Sequence, residues 1–222
     1  MATYDESRRD YERVMGPELG PIYHVLWNEC AILHMRWNEY VELFGKDQEQ
    51  FDVMNGVAPG FFKSVQDALW EATLLHLCCF ADPRKDTLSL DALVRSRASK
   101  VVPGLTALVL DAKAKIKFAQ DWRNRSIAHL NLDHALEKAA RPLAPASRAH
   151  VREALTAIKS SLECVEMHFI GSELGFEGTG FNWGGDHLIS EMRLIARLRA
   201  EREKRIDAGN GTADDFDWQK WN

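Results

Sequence analysis

Cysteine is scarce and poorly placed for chemistry. Cys30, Cys78, Cys79 and Cys164 stand at spacings that fit neither a zinc ribbon nor a thioredoxin motif, and a chain of 222 residues needs no disulfide staples. They are expected to be reduced, buried thiols. Long apolar runs are missing as well. Asp5, Glu6, Arg8, Arg9 and Asp10 exclude the apolar core of a secretory signal, and no run approaches a membrane span, so a cytoplasmic protein is expected. Positive charge is not in excess: the formal net charge of -5 gives no global attraction for polyphosphate, which leaves nucleic-acid binding to local patches. Alternation with period two and internal repeats are absent, which excludes sheet folds and solenoids.

Metal and phosphate motifs are lacking too. His24, His34, His76, His150, His168 and His187 form no His-x3-His or His-Glu-x-x-His pair within a helix, so they read as core or surface histidines and no metal or other cofactor is expected. The glycine-rich stretch 175–185 has no strand before it and no lysine after its last glycine, unlike a P-loop.

What is present is helical periodicity. Ile22, Leu26, Cys30, Leu33, Trp37, Tyr40, Val41 and Phe44 recur three or four apart and predict a long amphipathic helix over 21–44. Asn55-Gly56 and Pro59-Gly60 read as a loop. A broad stripe from Phe62 to Phe80 then predicts a central helix, stopped at Asp82-Pro83. Thr87 is the expected N-cap of a short helix to about Ala98. Leu105, Leu108, Val109, Ala112, Ile116, Ala119, Ile127 and Leu130 mark a fourth helix, Ser147 opens a fifth, and Asp186 a sixth with several arginines among glutamates, the pattern of a solvated face. The fold expected is an all-α bundle of five to six helices, a single domain over 1–208, followed by an acidic, aromatic and flexible tail over 209–222.

Chemistry is concentrated in Asp121-Trp122-Arg123-Asn124-Arg125-Ser126-Ile127-Ala128-His129, near the end of the fourth helix. An imidazole can take or return a proton near neutral pH, and guanidiniums can brace a phosphoryl group whose charge is growing. That set suits RNA cleavage without a metal. On an unbroken helix turning about 100° per residue, Asp121, Arg125 and His129 share one face within roughly 80°, while Arg123 falls on the apolar stripe, some 120° from His129. Loosening of the helix near Ser126 would let Arg123, Asn124 and His129 converge. Trp122 lies off the stripe and reads as an interface residue or a platform for a base. The bland alternative is a helix end, where cations satisfy the last carbonyls and the dipole with no catalysis involved.

Arg123-Asn124-(four residues)-His129 resembles the signature of the HEPN superfamily, in which an arginine, usually followed by a polar residue, precedes a histidine by four to six intervening residues. The surrounding Trp-Arg-Asn-Arg-Ser-Ile-Ala-His is similar to its AbiU-type abortive-infection branch. The resemblance implies a helical bundle that pairs into a homodimer with the active cleft at the interface. It also implies a metal-independent RNA endonuclease acting in phage defence or as a toxin, with an antitoxin protein as a further partner. In that reading Arg123 stabilises the transferring phosphate, Asn124 orients it, and His129 moves protons. Arg125, inside the motif but outside the signature, is a secondary candidate. The ribose 2′-hydroxyl would attack its own phosphodiester and leave a 2′,3′-cyclic phosphate. The competing function is a catalytically silent HEPN-like module that binds a nucleotide or a partner protein.

Overall fold

A computed structural model describes residues 3–127, 143–176 and 183–217. Among them are nine α-helices, a π turn, a short 3-10 turn and no strand. The helices are α1 (Tyr4–Met15), α2 (Leu19–Phe44), α3 (Gln48–Val57), α4 (Pro59–Phe80), α5 (Leu90–Arg95), α6 (Ala98–Val101), α7 (Leu105–Trp122), α8 (Arg148–Phe169) and α9 (Gly185–Asp207). The all-α class is as the periodicity requires. The count exceeds the expected five to six, and local signals explain the surplus.

Helix α1 begins at a capping box: Thr3 Oγ1 accepts the Glu6 N–H at 3.3 Å, and the Glu6 carboxylate accepts the Thr3 N–H at 2.8 Å. Helix α3 begins at Asp47, whose carboxylate accepts the Gln50 N–H at 2.9 Å. Asn55-Gly56 therefore lies inside a helix and not in a loop. Pro59 opens α4 as its first residue, where a missing N–H costs nothing, so the break between the two helices is Ala58 alone. The helix expected to start at Thr87 starts instead at Leu90, because Thr87 turns its hydroxyl back to the Arg84 carbonyl at 3.0 Å. Ser147 caps α8 as expected, accepting the His150 N–H at 3.3 Å.

The described residues form two compact units, one from Met1–Trp37 and Ala68–Thr179, the other from Asn38–Asp67 and Gly180–Asn222. In the first, α7 packs along α8, with Leu105, Val109, Ala112, Ile116 and Ala119 buried on one side and Val151, Leu155, Ile158, Leu162 and Val165 on the other. Helix α1 seats on α2 at Gly20, where a Cβ would meet the Glu12 Cα at 2.4 Å, so only glycine permits that approach. Helices α2 and α4 are stitched by a polar bridge: Arg36 Nη1 donates to His76 Nδ1 at 2.9 Å, and His76 Nε2 meets Glu29 at 2.9 Å. A guanidinium only donates, so Nδ1 accepts and the imidazole is the neutral Nε2–H tautomer.

In the second unit α3 packs against α9, with Met54, Ile189 and Met192 buried. The buried Gln50 amide donates to the Leu43 carbonyl at 2.8 Å, which ties α3 to the end of α2. Arg193 of α9 reaches Asp47 at 3.5 Å and Glu49 at 3.6 Å. The turn Ala213–Phe216 folds back on α9 through Asp215, which pairs with Arg205 and accepts the Thr212 N–H at 2.9 Å.

Candidate functional site

The last regular turn of α7 closes at Trp122, and Arg123–Ile127 continue as a π turn. Such a turn adds a residue per turn and recurs at functional positions. The angular arithmetic of a uniform α-helix therefore stops at Trp122, and the loosening considered near Ser126 begins three residues earlier. Three of the four signature-region candidates, Arg123, Asn124 and Arg125, lie in this turn. His129 lies outside the described residues.

Asn124 is exposed and Arg123 half-buried. Arg123 Nε donates to Asn124 Oδ1 at 3.0 Å, which occupies one of the five guanidinium N–H donors. On its other side Arg123 approaches the end of α4. Burial pushes the Cys78 thiol up to about 11, and the nearby Arg123 guanidinium works against that rise; Cys79 is raised by burial and eased by Arg123 in the same way. Gln120 Nε2 donates to the Ala81 carbonyl at 3.4 Å and fixes α7 to the same helix end.

Arg125 is placed differently. It pairs with Asp121 one turn back, Nη1 to Oδ2 at 3.2 Å, with side-chain exposures of only 19% and 23%. Asp121 Oδ2 also accepts the Ala144 N–H at 2.8 Å, while Trp122 Nε1 donates to the Ala144 carbonyl at 2.8 Å. Adjacent residues of α7 thus grip both backbone polar groups of one residue, Ala144, and draw residues 143–147, and with them the start of α8, against the end of α7. Trp122 acts as this clamp, a role neither the interface nor the base-platform reading contained.

An open groove of about 840 Å³ runs between α7 and α8 beside the motif, lined among others by Lys117, Asn124 and His150. His150, read from sequence as a core or surface histidine, is half-buried with its ring centroid 5.6 Å from that of Phe118. No spacing signal separates it from the other histidines, since the rest of the groove, Glu153 apart, comes from α7, the π turn and residues 144–145. The sequence also misjudges the thiols. All four are free, but Cys79 is exposed and Cys164 half-buried, because the stripe of α4 runs through Leu74, Leu77 and Cys78 and leaves the next residue outside. Trp37, part of the stripe read for the first long helix, is buried, while Trp27 and Trp70 are half-buried against Phe176 and Trp37 at centroid separations of 5.7 and 6.4 Å.

The family model HEPN_AbiU2, described as AbiU2, matches residues 16–184. The chain belongs to this family. The AbiU2 match takes in α2 to α8 and every signature position, and it stops where α9 starts. AbiU2 membership supports a module that acts on nucleic acid. Comparison with curated proteins and with solved structures gave no match. Among the described residues no group of three or more His, Cys, Asp or Glu is arranged to hold a metal ion, and no helix is long and apolar enough to cross a membrane.

Proposed function

We propose that the protein is a metal-independent RNA endonuclease of phage defence or of a toxin–antitoxin system. The observation that carries this reading is the position of Arg123-Asn124-(four residues)-His129 within the AbiU2 match, with Arg123 and Asn124 joined side by side in a π turn at the end of α7. His129 takes the proton of a ribose 2′-hydroxyl. That oxygen attacks the adjacent phosphorus, the bond to the 5′-oxygen breaks, and the leaving oxygen picks up a proton. The products are a 2′,3′-cyclic phosphate and a 5′-hydroxyl. Arg123 stabilises the charge that gathers on the phosphoryl oxygens, and the Asn124 amide orients the guanidinium. Arg125, held by Asp121, contributes positive potential from the next position. Two protomers pair with their motifs facing one cleft, and an antitoxin protein is the regulating partner.

Total RNA is incubated with the protein with and without EDTA, and the ends are analysed. Cleavage that resists EDTA, leaves cyclic phosphate ends and falls about 100-fold or more in His129→Ala is expected. Cleavage abolished by the chelator would overturn the reading. The net charge of -5 favours the second reading, a catalytically silent module that binds a nucleotide or a partner protein. That reading prevails if no RNA is cut under any condition while Arg123→Ala still loses binding to a nucleotide or partner.

A further inference from the structure

The groove between α7 and α8 carries groups that the signature does not use. Along one wall stand Lys117 and, seven residues on in the π turn, Asn124. The carboxylate between them, Asp121, already serves Arg125 and the Ala144 N–H. Lys117 is exposed and makes no ion pair among the described residues, unlike Lys115, which is bound to Asp111 at 2.9 Å. On the facing wall stand the Glu153 carboxylate and His150, whose Nδ1 is enclosed and has no hydrogen-bond partner. Phe118 backs that ring. The groove therefore offers a cation and an amide on one wall and, on the other, an imidazole beside a carboxylate, and it reaches the π turn.

We infer that this groove seats the ribose-phosphate strand of a single-stranded RNA next to the linkage being cut, with Lys117 and His150 meeting phosphates and Asn124 marking the end nearest the reaction. Its volume of about 840 Å³ lies in the range of small-ligand pockets, which admits on the order of two nucleotides between the helices. Neutralising one phosphate of a single strand contributes about 0.7 to the slope of log affinity against log salt. The inference rests on the nuclease reading and adds the path of the substrate to it.

The test is fluorescence anisotropy with a labelled, single-stranded RNA decamer carrying 2′-O-methyl groups, which bind but cannot be cut. Lys117→Glu is expected to weaken binding about tenfold and to lower the salt slope by about 0.7. His150→Ala weakens it several-fold, and Lys100→Glu on α6, beside the opposite end of α7, leaves it within about twofold as a charge control. Lys117→Gln, with thermal melts of every variant, repeats the measurement should the charge reversal disturb the fold. Wild-type affinity and slope in both groove variants would overturn the inference, as would a duplex of the same sequence competing as well as the single strand. EDTA-resistant cleavage by wild type alongside that result would leave the nuclease reading standing. Failure of wild type to bind any RNA would remove both.

Discussion

Ala144 is held by its backbone alone, between the Asp121 carboxylate and the Trp122 indole, and the side chains that hold it are neighbours in sequence. Removing the carboxylate leaves the half-buried Arg125 and the Ala144 N–H short of an acceptor. Asp121→Ala is therefore expected to cost about 1–3 kcal/mol in urea denaturation, and Trp122→Phe, which loses a single neutral hydrogen bond, about 1 kcal/mol. A value near zero for both would mean that the clamp contributes nothing. The position of Arg123 has its own readout in the thiols. Since Cys78 titrates up at about 11 and Cys79 above its ordinary value, both should alkylate slowly at pH 7, Cys79 despite its exposure. Arg123→Ala removes the charge that eases Cys79, so iodoacetamide labelling followed by mass spectrometry should slow further at pH 8.5. An unchanged rate would place the guanidinium elsewhere.

Among the helices, the α2–α4 stitch responds to pH. Burial, and then the Arg36 guanidinium, hold the His76 imidazole below its usual value, against the pull of Glu29. The unfolded imidazole titrates near 6.5. Below that value the unfolded chain binds the proton more readily than the folded one, so the stability contributed by His76 is complete above about pH 6.5 and is lost as pH falls through the folded value. His24, lowered by burial and then by Arg8, adds the same sign. The melting temperature is expected to drop between pH 7.5 and 5.5, and to drop less in His76→Gln, whose amide can accept from Arg36 and donate to Glu29 without titrating. Equal drops in the two proteins would show that the bridge is not the sensor. At this scale the sequence was legible where a stripe exceeds four turns: α2, α4 and α8 lie where the spacing of apolar residues puts them, and α7 begins at Leu105 as expected but ends as a regular helix at Trp122, short of the stripe's Ile127. It was less legible for α1, α3 and α6. These are short or weakly striped, and their existence depends on caps such as Thr3 and Asp47 and on the packing that receives them.

At the scale of the whole molecule, the AbiU2 match ends where α9 begins, and the last turn is fastened to α9 through the Arg205–Asp215 pair. Asp215 is nearly fully buried, and the Arg205 guanidinium and the Thr212 N–H hold its carboxyl far below the usual carboxylate range. A depressed carboxyl stabilises the fold above its unfolded value and loses that contribution only as pH falls through its folded value, so the turn should remain docked at neutral pH and release in strong acid. Asp215→Asn is expected to raise amide exchange over residues 212–217 at pH 7 severalfold by mass spectrometry, with α8 unchanged. Exchange unaltered by the substitution would mean that the Arg205 pair is not what fastens the turn.

The chain by itself determined the helical class, the main stripes, the Ser147 cap and the place of the arginine-to-histidine signature, because these depend on spacing along one element and on the chemistry of neighbouring residues. The π turn at Arg123, the grip on Ala144, the neighbours of Arg123 on α4 and the appearance of His150 in the same groove as Asn124 were decided only by tertiary structure. Each depends on which surfaces meet across helices far apart in sequence. Burial, unpaired polar groups and shared acceptors are properties of those meetings and leave no periodic trace in the residues themselves.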